Sequence, residues 1–424
     1  MRTCLSVGVA VLVAAVGGVC LAQGPRYEFV KIDSFNANPL AGEAFVWDVN
    51  DAGMACGVAS MDNRIGTPGF VWTLGGGKVE IPVASPRAIS NGGVVAGIGG
   101  VFDTVTQQYS SLPTLPGTYL QPLMGGVNDA GLATGTISGC SCSDSGGLTN
   151  VAYVWDAAGG ARTLPALIPN ARGLTRVNNA GIAIGWLNGY VLNDAFVVDL
   201  NTGAYTILAD ALPAATGTGI VQAADINEAG QVLCSRFAGT PSVRKAIVYW
   251  PDGQTLILPT PGAGYQASVS PRGLNDQVVV VGSIVTTLAS QRAFVYSAEL
   301  GLRDLNDAGL VMGVPAGYTM RSAEKVSNTG WIVGNGTQGN KNTGFALRPL
   351  GPTCDSIDFN NDGSLFDPTD VDALLSVFSE GPCIPAGATC NDVDFNNDTS
   401  LFDPCDIDSF LLVFSEGPCT VCGQ

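Results

Sequence analysis

Between residues 27 and 350 one short phrase returns seven times: an Asn or Ser, two residues, usually a Gly, three residues and usually another Gly. It reads VNDAGMACG from Val49, ISNGGVVAG from Ile89, VNDAGLATG from Val127, VNNAGIAIG from Val177, INEAGQVLC from Ile226, LNDQVVVVG from Leu274 and VSNTGWIVG from Val326. The anchoring residues Asn50, Ser90, Asn128, Asn178, Asn227, Asn275 and Ser327 lie 38 to 52 residues apart. Units of that length have room for four short strands each, which points to a ring or stack of repeated sheets.

Each phrase is chemically a hairpin. The Asn side chain bonds its own backbone, and the Gly takes the positive φ that closes the turn. Val278 stands where Gly is expected in the sixth copy, so that turn is expected to be built differently. After most turns the chain returns as an alternating aromatic strand: GFVW at 69–72, AYVW at 152–155, AFVV at 195–198, AIVY at 246–249, AFVY at 293–296 and GFAL at 344–347. Repeated sheets leave exposed edges unless the ring closes. The strand-like RYEFVKIDSF at 26–35 precedes the first turn, and we expect it to pair near Gly344–Leu347 and seal the circle. A solenoid is disfavoured because no polar capping repeat is visible.

The alternation of A-F-x-W strands with IN-x-x-G-x-x-x-G turns resembles the bacterial extracellular HAF-repeat family, and residues 301–349 are similar to that family's closing repeat. The resemblance covers nearly all of 27–350. It implies a secreted, β-propeller-like body and brings no activity with it.

A second signal lies in the tail, where CDSIDFNNDGSLFDPTDVDALLSVFSEGPC is followed 36 residues on by CNDVDFNNDTSLFDPCDIDSFLLVFSEGPC. From Cys354 onward there are 14 Asp and Glu and no Lys or Arg. The rest of the chain, with 22 acids against 19 bases, carries only about −3 of the total −17. Asp, Asn and Asp at alternate positions are the oxygen donors that a hard cation such as calcium requires. The first copy resembles a dockerin or EF-hand loop. That resemblance implies Asp358, Asn360, Asp362, Ser364 and Asp370 as calcium ligands, with Gly363 at the bend and Asp370 one place later than the pattern. The second copy matches with Asp394, Asn396, Asp398, Ser400 and Asp406, but Thr399 replaces the Gly and makes this the weaker loop. Asp367-Pro368 and Asp403-Pro404 read as helix starts. Val371, Leu374, Leu375 and Phe378, and Ile407, Phe410, Leu411 and Phe414, are the expected facing apolar stripes.

Composition narrows the rest. Arg2, an apolar run over 5–19 and Cys20-Leu21-Ala22 read as an export signal ending at 22, too short an apolar run for a membrane span, and no later segment is a transmembrane candidate. Ten cysteines remain, a disulfide inventory in an exported chain; Cys354–Cys383 and Cys390–Cys419 are the economical pairs, leaving Cys405 and Cys422. Cys140-Ser141-Cys142 reads as a loop disulfide or a metal or redox pair, and Cys56 and Cys234 as small buried residues. With no His in 424 residues, His-based triads and the usual zinc sites are excluded. No basic stripe suits nucleic acid.

The fold class expected is therefore mainly β: a signal peptide at 1–22, a seven-bladed β-propeller at 23–351 and a small tandem EF-hand-like (dockerin-like), calcium-binding module at 352–424. The turn acids Asp51, Asp129 and Asp276 are expected to be solvated turn residues rather than a ring of carboxylates around a channel, and Trp72 and Trp155 to be core. The functional expectation is a secreted or cell-surface, non-catalytic binding or structural protein, not an enzyme. Its ligand would be an unidentified protein or polysaccharide, and the tail would have a docking partner. The competing reading is a secreted carbohydrate-active hydrolase or lyase that uses propeller-loop carboxylates, which two acids facing one another across a central depression would favour.

Overall fold

The structure is a computed structural model that describes residues 26–36, 42–62, 66–115, 120–140, 148–164, 168, 170–187, 194–217, 219–238 and 243–350, and in the tail 357–364, 368–379, 381–385, 390, 391, 393, 395 and 404–415. The expected export signal and the Cys140-Ser141-Cys142 loop lie outside these residues, apart from the backbone of Cys140.

Residues 27–349 form antiparallel meanders in a propeller-like arrangement. Strands Ala44–Val49, Ala55–Ala59, Gly69–Thr73 and Gly77–Ile81 make the first sheet. Ala171–Val177, Ile182–Leu187, Ala195–Asp199 and Tyr205–Ile207 make another four-stranded sheet, as do Val221–Ile226, Val232–Ala238, Val243–Tyr249 and Thr255–Ile257. So do Tyr265–Leu274, Val280–Thr286, Gln291–Ser297 and Gly301–Asp304. The closing sheet has five strands in the order Val311–Met312, Tyr27–Ile32, Lys341–Pro349, Ile332–Gln338 and Tyr318–Val326. As expected, the N-terminal strand closes the ring: Tyr27 pairs with Pro349 and Ile32 with Gly344, antiparallel.

These five sheets have the size of single blades, and the sixth does not. It has eight strands, because the meanders Ala84–Asp103 (continued by Gln108–Ser111) and Leu123–Thr163 are joined through one pairing, Leu123 with Ile98. Seven separate blades, the number expected from the repeats, are therefore not seven separate sheets.

The repeated phrase performs one task at every turn. The Asn Oδ1 accepts the N–H four residues on: Met54 to Asn50 at 2.9 Å, Leu132 to Asn128 at 3.0 Å, Ile182 to Asn178 at 2.9 Å, Gln231 to Asn227 at 2.8 Å and Val279 to Asn275 at 2.9 Å. Ser90 and Ser327 use Oγ for the same bond, at 3.1 Å each. The Asn Nδ2 then reaches the next unit: Asn50 to the Ser90 carbonyl, Asn128 to Asn178, Asn178 to Asn227, Asn227 to Asn275 and Asn275 to Ser327, all within 3.0–3.1 Å. The residue just before each anchor (Val49, Ile89, Val127, Val177, Ile226, Leu274, Val326) is buried, as are Phe70, Tyr153, Phe196, Phe294 and Phe345 on the returning strands. Burying each of those rings contributes about 1.5–3 kcal/mol.

The second glycine of the phrase allows close approach within a blade. A Cβ on Gly57, Gly135, Gly185, Gly282 or Gly334 would lie 2.0–2.2 Å from a carbonyl oxygen of the preceding strand. The first glycine takes positive φ, and here the structure corrects an expectation. Val278 adopts the same left-handed conformation (φ 59°) and makes the same turn bonds, so its turn is built like the others despite the side chain.

In the tail, helices Pro368–Phe378 and Pro404–Phe414 form where expected. Leu374 and Phe410 are fully buried with Phe359, Phe395 and Ala373, and Phe395 meets Phe410 edge-on at 5.0 Å. Leu375 and Leu411 are instead 46% exposed, so each apolar stripe is narrower than expected. Cys383 pairs with Cys390, which corrects both pairings expected for those two residues, and Cys405 is also disulfide-bonded. Cys56 and Cys234 are free and buried, and Trp72 is core, as expected. Among the described residues no helix is long and apolar enough to cross a membrane.

A β-branched residue at positive φ costs about 1–2 kcal/mol. Val278→Gly is therefore expected to raise the thermal midpoint despite the loss of a half-buried isopropyl group. An unchanged or lower midpoint in a thermal melt would show that Val278 is not strained.

Candidate functional site

The innermost strands of the repeats surround a central channel, and the position relative to each turn anchor decides what a residue presents there. One residue after the anchor stand Asp51, Asn91, Asp129, Asn179, Glu228, Asp276 and Asn328. They form a closed ring in which each side chain accepts a backbone N–H from the preceding unit. Asp51 N–H donates to Asn91 Oδ1 at 2.8 Å, Gly92 to Asp129 at 3.1 Å, Asp129 to Asn179 at 2.8 Å and Asn179 to Glu228 at 2.8 Å. Glu228 donates to Asp276 at 2.9 Å, Asp276 to Asn328 at 2.9 Å, and Asn328 to Asp51 at 2.7 Å, which returns to the start. The expectation that Asp51, Asp129 and Asp276 are merely solvated turn residues is thereby corrected. They are ring members, and Glu228 is a fourth carboxylate that the sequence reading missed.

The four acids are not equivalent. Asp51 Oδ2 accepts from the Asn91 amide at 2.8 Å and Asp129 Oδ2 from the Asn179 amide at 2.7 Å. Glu228 and Asp276 are neighbours that each spend one oxygen on the ring, and among the described residues nothing donates to Glu228 Oε1 or Asp276 Oδ2. Burial pushes the Glu228 carboxyl above its ordinary value, and the Asp276 and Asp129 charges push it further, against the Asn179 N–H bond that lowers it. A carboxyl whose proton affinity is raised, beside a second carboxyl, is the arrangement acid–base chemistry needs.

Two residues before the anchor, inside the mouth, lie Asp48, Ala88, Gly126, Arg176, Asp225, Gly273 and Lys325, and all but Gly273 line a cavity of about 100 Å³ with the ring. Arg176 sits between two carboxylates, 3.7 Å from Asp48 and 3.6 Å from Asp225, and Lys325 Nζ is 2.6 Å from Asp225 Oδ2. The Asp225 side chain is 1% exposed and also accepts the Leu274 N–H at 2.9 Å. Small residues make room for these chains: a Cβ on Gly126 would lie 2.7 Å from the Arg176 Cα, and one on Gly273 2.8 Å from that of Lys325. Burial holds the Asp48 carboxyl above the usual range even though Arg176 and Lys325 pull it down. Sequence reasoning overlooked this layer because each unit supplies one residue. The common offset from the anchor was the signal that would have found it.

In the tail, the first loop gathers its oxygen donors. The Asp358 carboxylate accepts the N–H groups of Asp362 at 2.9 Å and Gly363 at 2.8 Å, while Asn360 Oδ1 accepts Asp362 N–H at 3.0 Å. Asp362 Oδ1 accepts Ser364 N–H at 2.8 Å, and buried Asp370 accepts the Asn360 N–H at 3.4 Å. Gly363, at φ 89°, makes the bend. The all-oxygen donor set fits a hard cation, although among the described residues no group of three or more acids, Cys or His is close enough to hold a metal, and an EF-hand module is not shown. Asp406 is fully buried in the second helix, and Asp394, Asn396, Asp398 and Ser400 lie outside the described residues.

Neither a family model nor a curated protein sequence matches the chain. Solved structures share its fold. An oligogalacturonate lyase in complex with manganese is similar over 78% of this chain and 99% of its own, at 9% identity and a TM-score of 0.51. The uncomplexed acylaminoacyl peptidase of Pyrococcus horikoshii matches 72% of this chain at 10% identity with a TM-score of 0.49, and this chain spans 51% of that protein's length. The β-propeller domain of the Trilobed protease from Pyrococcus furiosus matches 73% of this chain and 83% of its own at 6% identity and a TM-score of 0.40. At these identities the likeness concerns the fold. It nevertheless overturns the expectation that such a body marks a non-catalytic protein that is not an enzyme: the architecture matched over 99% of its length is that of a lyase, so the propeller does not argue against catalysis.

Proposed function

We propose that this protein is a secreted carbohydrate-active hydrolase or lyase that works with carboxylates on the propeller's turn ring. The observation that carries the reading is the Glu228–Asp276 pair, two adjacent ring acids, each with one oxygen directed to no described donor. Glu228, held above the ordinary carboxylate range, gives a proton to the leaving glycosidic oxygen, and Asp276 takes one from water or from the sugar. The Asn179 and Glu228 N–H bonds fix both carboxyl groups on the rim. A cavity of about 100 Å³ holds waters or one small group rather than a sugar chain, so the saccharide lies across the mouth instead of threading it. The match of this body to a lyase propeller along that protein's whole chain supports this choice.

We further propose that the eight-stranded sheet counts as two blades, giving seven, in keeping with seven anchored turns and a single joining pair. The resemblance to the HAF-repeat family and the export signal support a place outside the cell. The tail, on this reading, is a dockerin-like module stabilised by calcium at Asp358, Asn360, Asp362, Ser364 and Asp370, with a second site at Asp394, Asn396, Asp398, Ser400 and Asp406. The gathered oxygens of the first loop and the buried Asp370 and Asp406 support it.

Two measurements check these proposals. Glu228→Gln keeps the acceptor for Asn179 N–H and removes the acid, so turnover of acidic and neutral oligosaccharides, followed by reducing ends and by unsaturated product, is expected to fall at least about 100-fold with an unchanged melt. Because the folded carboxyl is raised, its proton and the activity are present at low pH and lost as pH rises through that raised value. The same titration costs folding stability over the same rise. A parent protein inactive on every such oligosaccharide, or a Glu228→Gln variant with parent activity, would refute the assignment. For the tail, calorimetry with calcium on the chelator-stripped full chain is expected to show uptake that Asp362→Ala weakens more than Asp398→Ala, since Gly363 eases the first bend. No heat of calcium binding would remove the metal.

A further inference from the structure

Three residues before each anchor, every innermost strand carries a β-bulge. The register shifts fall at Trp47, Gly125, Thr175, Ala224, Arg272 and Glu324, and the irregular stretch of the second unit contains Arg87. Six units have a bulge or irregularity at the same offset as the seventh, and a bulged residue is left out of the ladder and re-aimed. Contacts between units bring several of these residues together at one level of the channel. The Arg87 guanidinium lies over the Trp47 ring at 4.1 Å, Arg272 Nε is 3.9 Å from Glu324, and Glu324, from a different unit, is near enough to Arg87 to favour its charged form against burial. Four residues along a strand separate this level from the acidic ring, roughly 13 Å. Between them lies the Asp48–Arg176–Asp225–Lys325 layer.

The two ends of the channel therefore have opposite charge. The turn end carries Asp51, Asp129, Glu228 and Asp276. The bulge end carries Arg87, Arg272 and, in another bulge of the Tyr318–Val326 strand three residues from Glu324, Arg321; among the described residues of the innermost strands Glu324 is the acid at this level. Arg244 lies close enough to Arg272 for their charges to repel. Among the described residues the guanidinium groups of Arg87, Arg272 and Arg321 donate no hydrogen bond, and Arg272 has only the long contact with Glu324. Arg87 is also held in place. Trp47 lies nearly parallel to Phe45, with ring centroids 6.0 Å apart and the planes 10° apart, and the guanidinium lies over the Trp47 ring at 4.1 Å. A planar cation fixed on an aromatic stack, with its donors unspent, is prepared for a two-oxygen anion.

We propose that the bulge end of the channel is a binding site for a carboxylate-bearing saccharide, a uronate chain, with Arg87 gripping one carboxylate and Arg272 and Arg321 its neighbours. Saccharide rather than another anion follows from the flat Phe45–Trp47 surface beside the guanidinium groups and from a spread of cations around an opening instead of one closed phosphate cradle. The Arg87 and Arg272 level is four strand residues, roughly 13 Å, from the level of Glu228, so it holds the polymer and takes no part in proton transfer. It stands or falls separately from the catalytic reading.

The test is calorimetric titration of the full-length protein, as parent and as Glu228→Gln, with a galacturonic acid hexamer, its carboxyl-reduced neutral counterpart and inorganic phosphate. The hexamer is expected to bind both proteins, more weakly as salt rises, and the neutral hexamer not at all; binding by a chain of net charge −17 is itself diagnostic of a local cationic site. Arg87→Gln is expected to weaken binding about tenfold or more, Arg87→Lys not to restore it, and the Arg272→Gln/Arg321→Gln double variant to weaken it comparably. The double variant decides the matter if Arg87→Gln fails to fold. Equal affinity for the neutral hexamer, tight phosphate binding without hexamer binding, or parent affinity in these variants would overturn the proposal. Hexamer binding without turnover would sink only the catalytic reading.

Discussion

One interaction recurs at five of the seven turns and joins their units: the anchor asparagine, whose Oδ1 closes its own hairpin and whose Nδ2 reaches the neighbouring turn. A free asparagine amide in water gains little from either bond alone, since each replaces a bond to solvent. Here the anchors are 4–5% exposed or less, so losing a partner would strand a buried polar group at a cost of about 1–3 kcal/mol. The rim ring adds a second set of bonds from unit to unit, ending where it began at Asp51. The same bonds that orient Glu228 and Asp276 also link sheets distant in sequence, so the proposed chemistry and the fold share their supports.

The turns, the returning aromatic strands and the closure by Tyr27–Ile32 were legible in the sequence because local chemistry and repeat period agree there. Val278 was misread because glycine eases a left-handed turn without being required for it; the Asn275 bonds impose the same path on valine. The joining of two meanders through Leu123 and Ile98 leaves no mark in composition. The Cys383–Cys390 bridge was missed because equal spacing suggested pairing within each repeat, whereas the bridge links one repeat to the next.

The candidate sites were less legible, for a physical reason. Charged channel residues come one per unit at a fixed offset from the anchor, so Asp48, Arg176, Asp225 and Lys325 are far apart in sequence and meet only after ring closure. Read along the chain they are scattered charges. Read by offset they are layers: acids and amides at the rim, a buried ion cluster below, bulged arginines at the far opening. The oxygen-rich loop of the tail, by contrast, is local, and its pattern could be seen at once, as could the two short helices that bury Leu374 and Phe410.

Backbone hydrogen exchange resolved by residue tests the ring most directly. The amides of Asp51, Asp129, Asn179, Glu228, Asp276 and Asn328 sit in tight, half-exposed turns that would ordinarily exchange quickly. The account predicts strong and mutually similar protection, because each is bonded to the next unit and opens only when the ring does. Rapid, unequal exchange at these six positions, with the strands still protected, would contradict it.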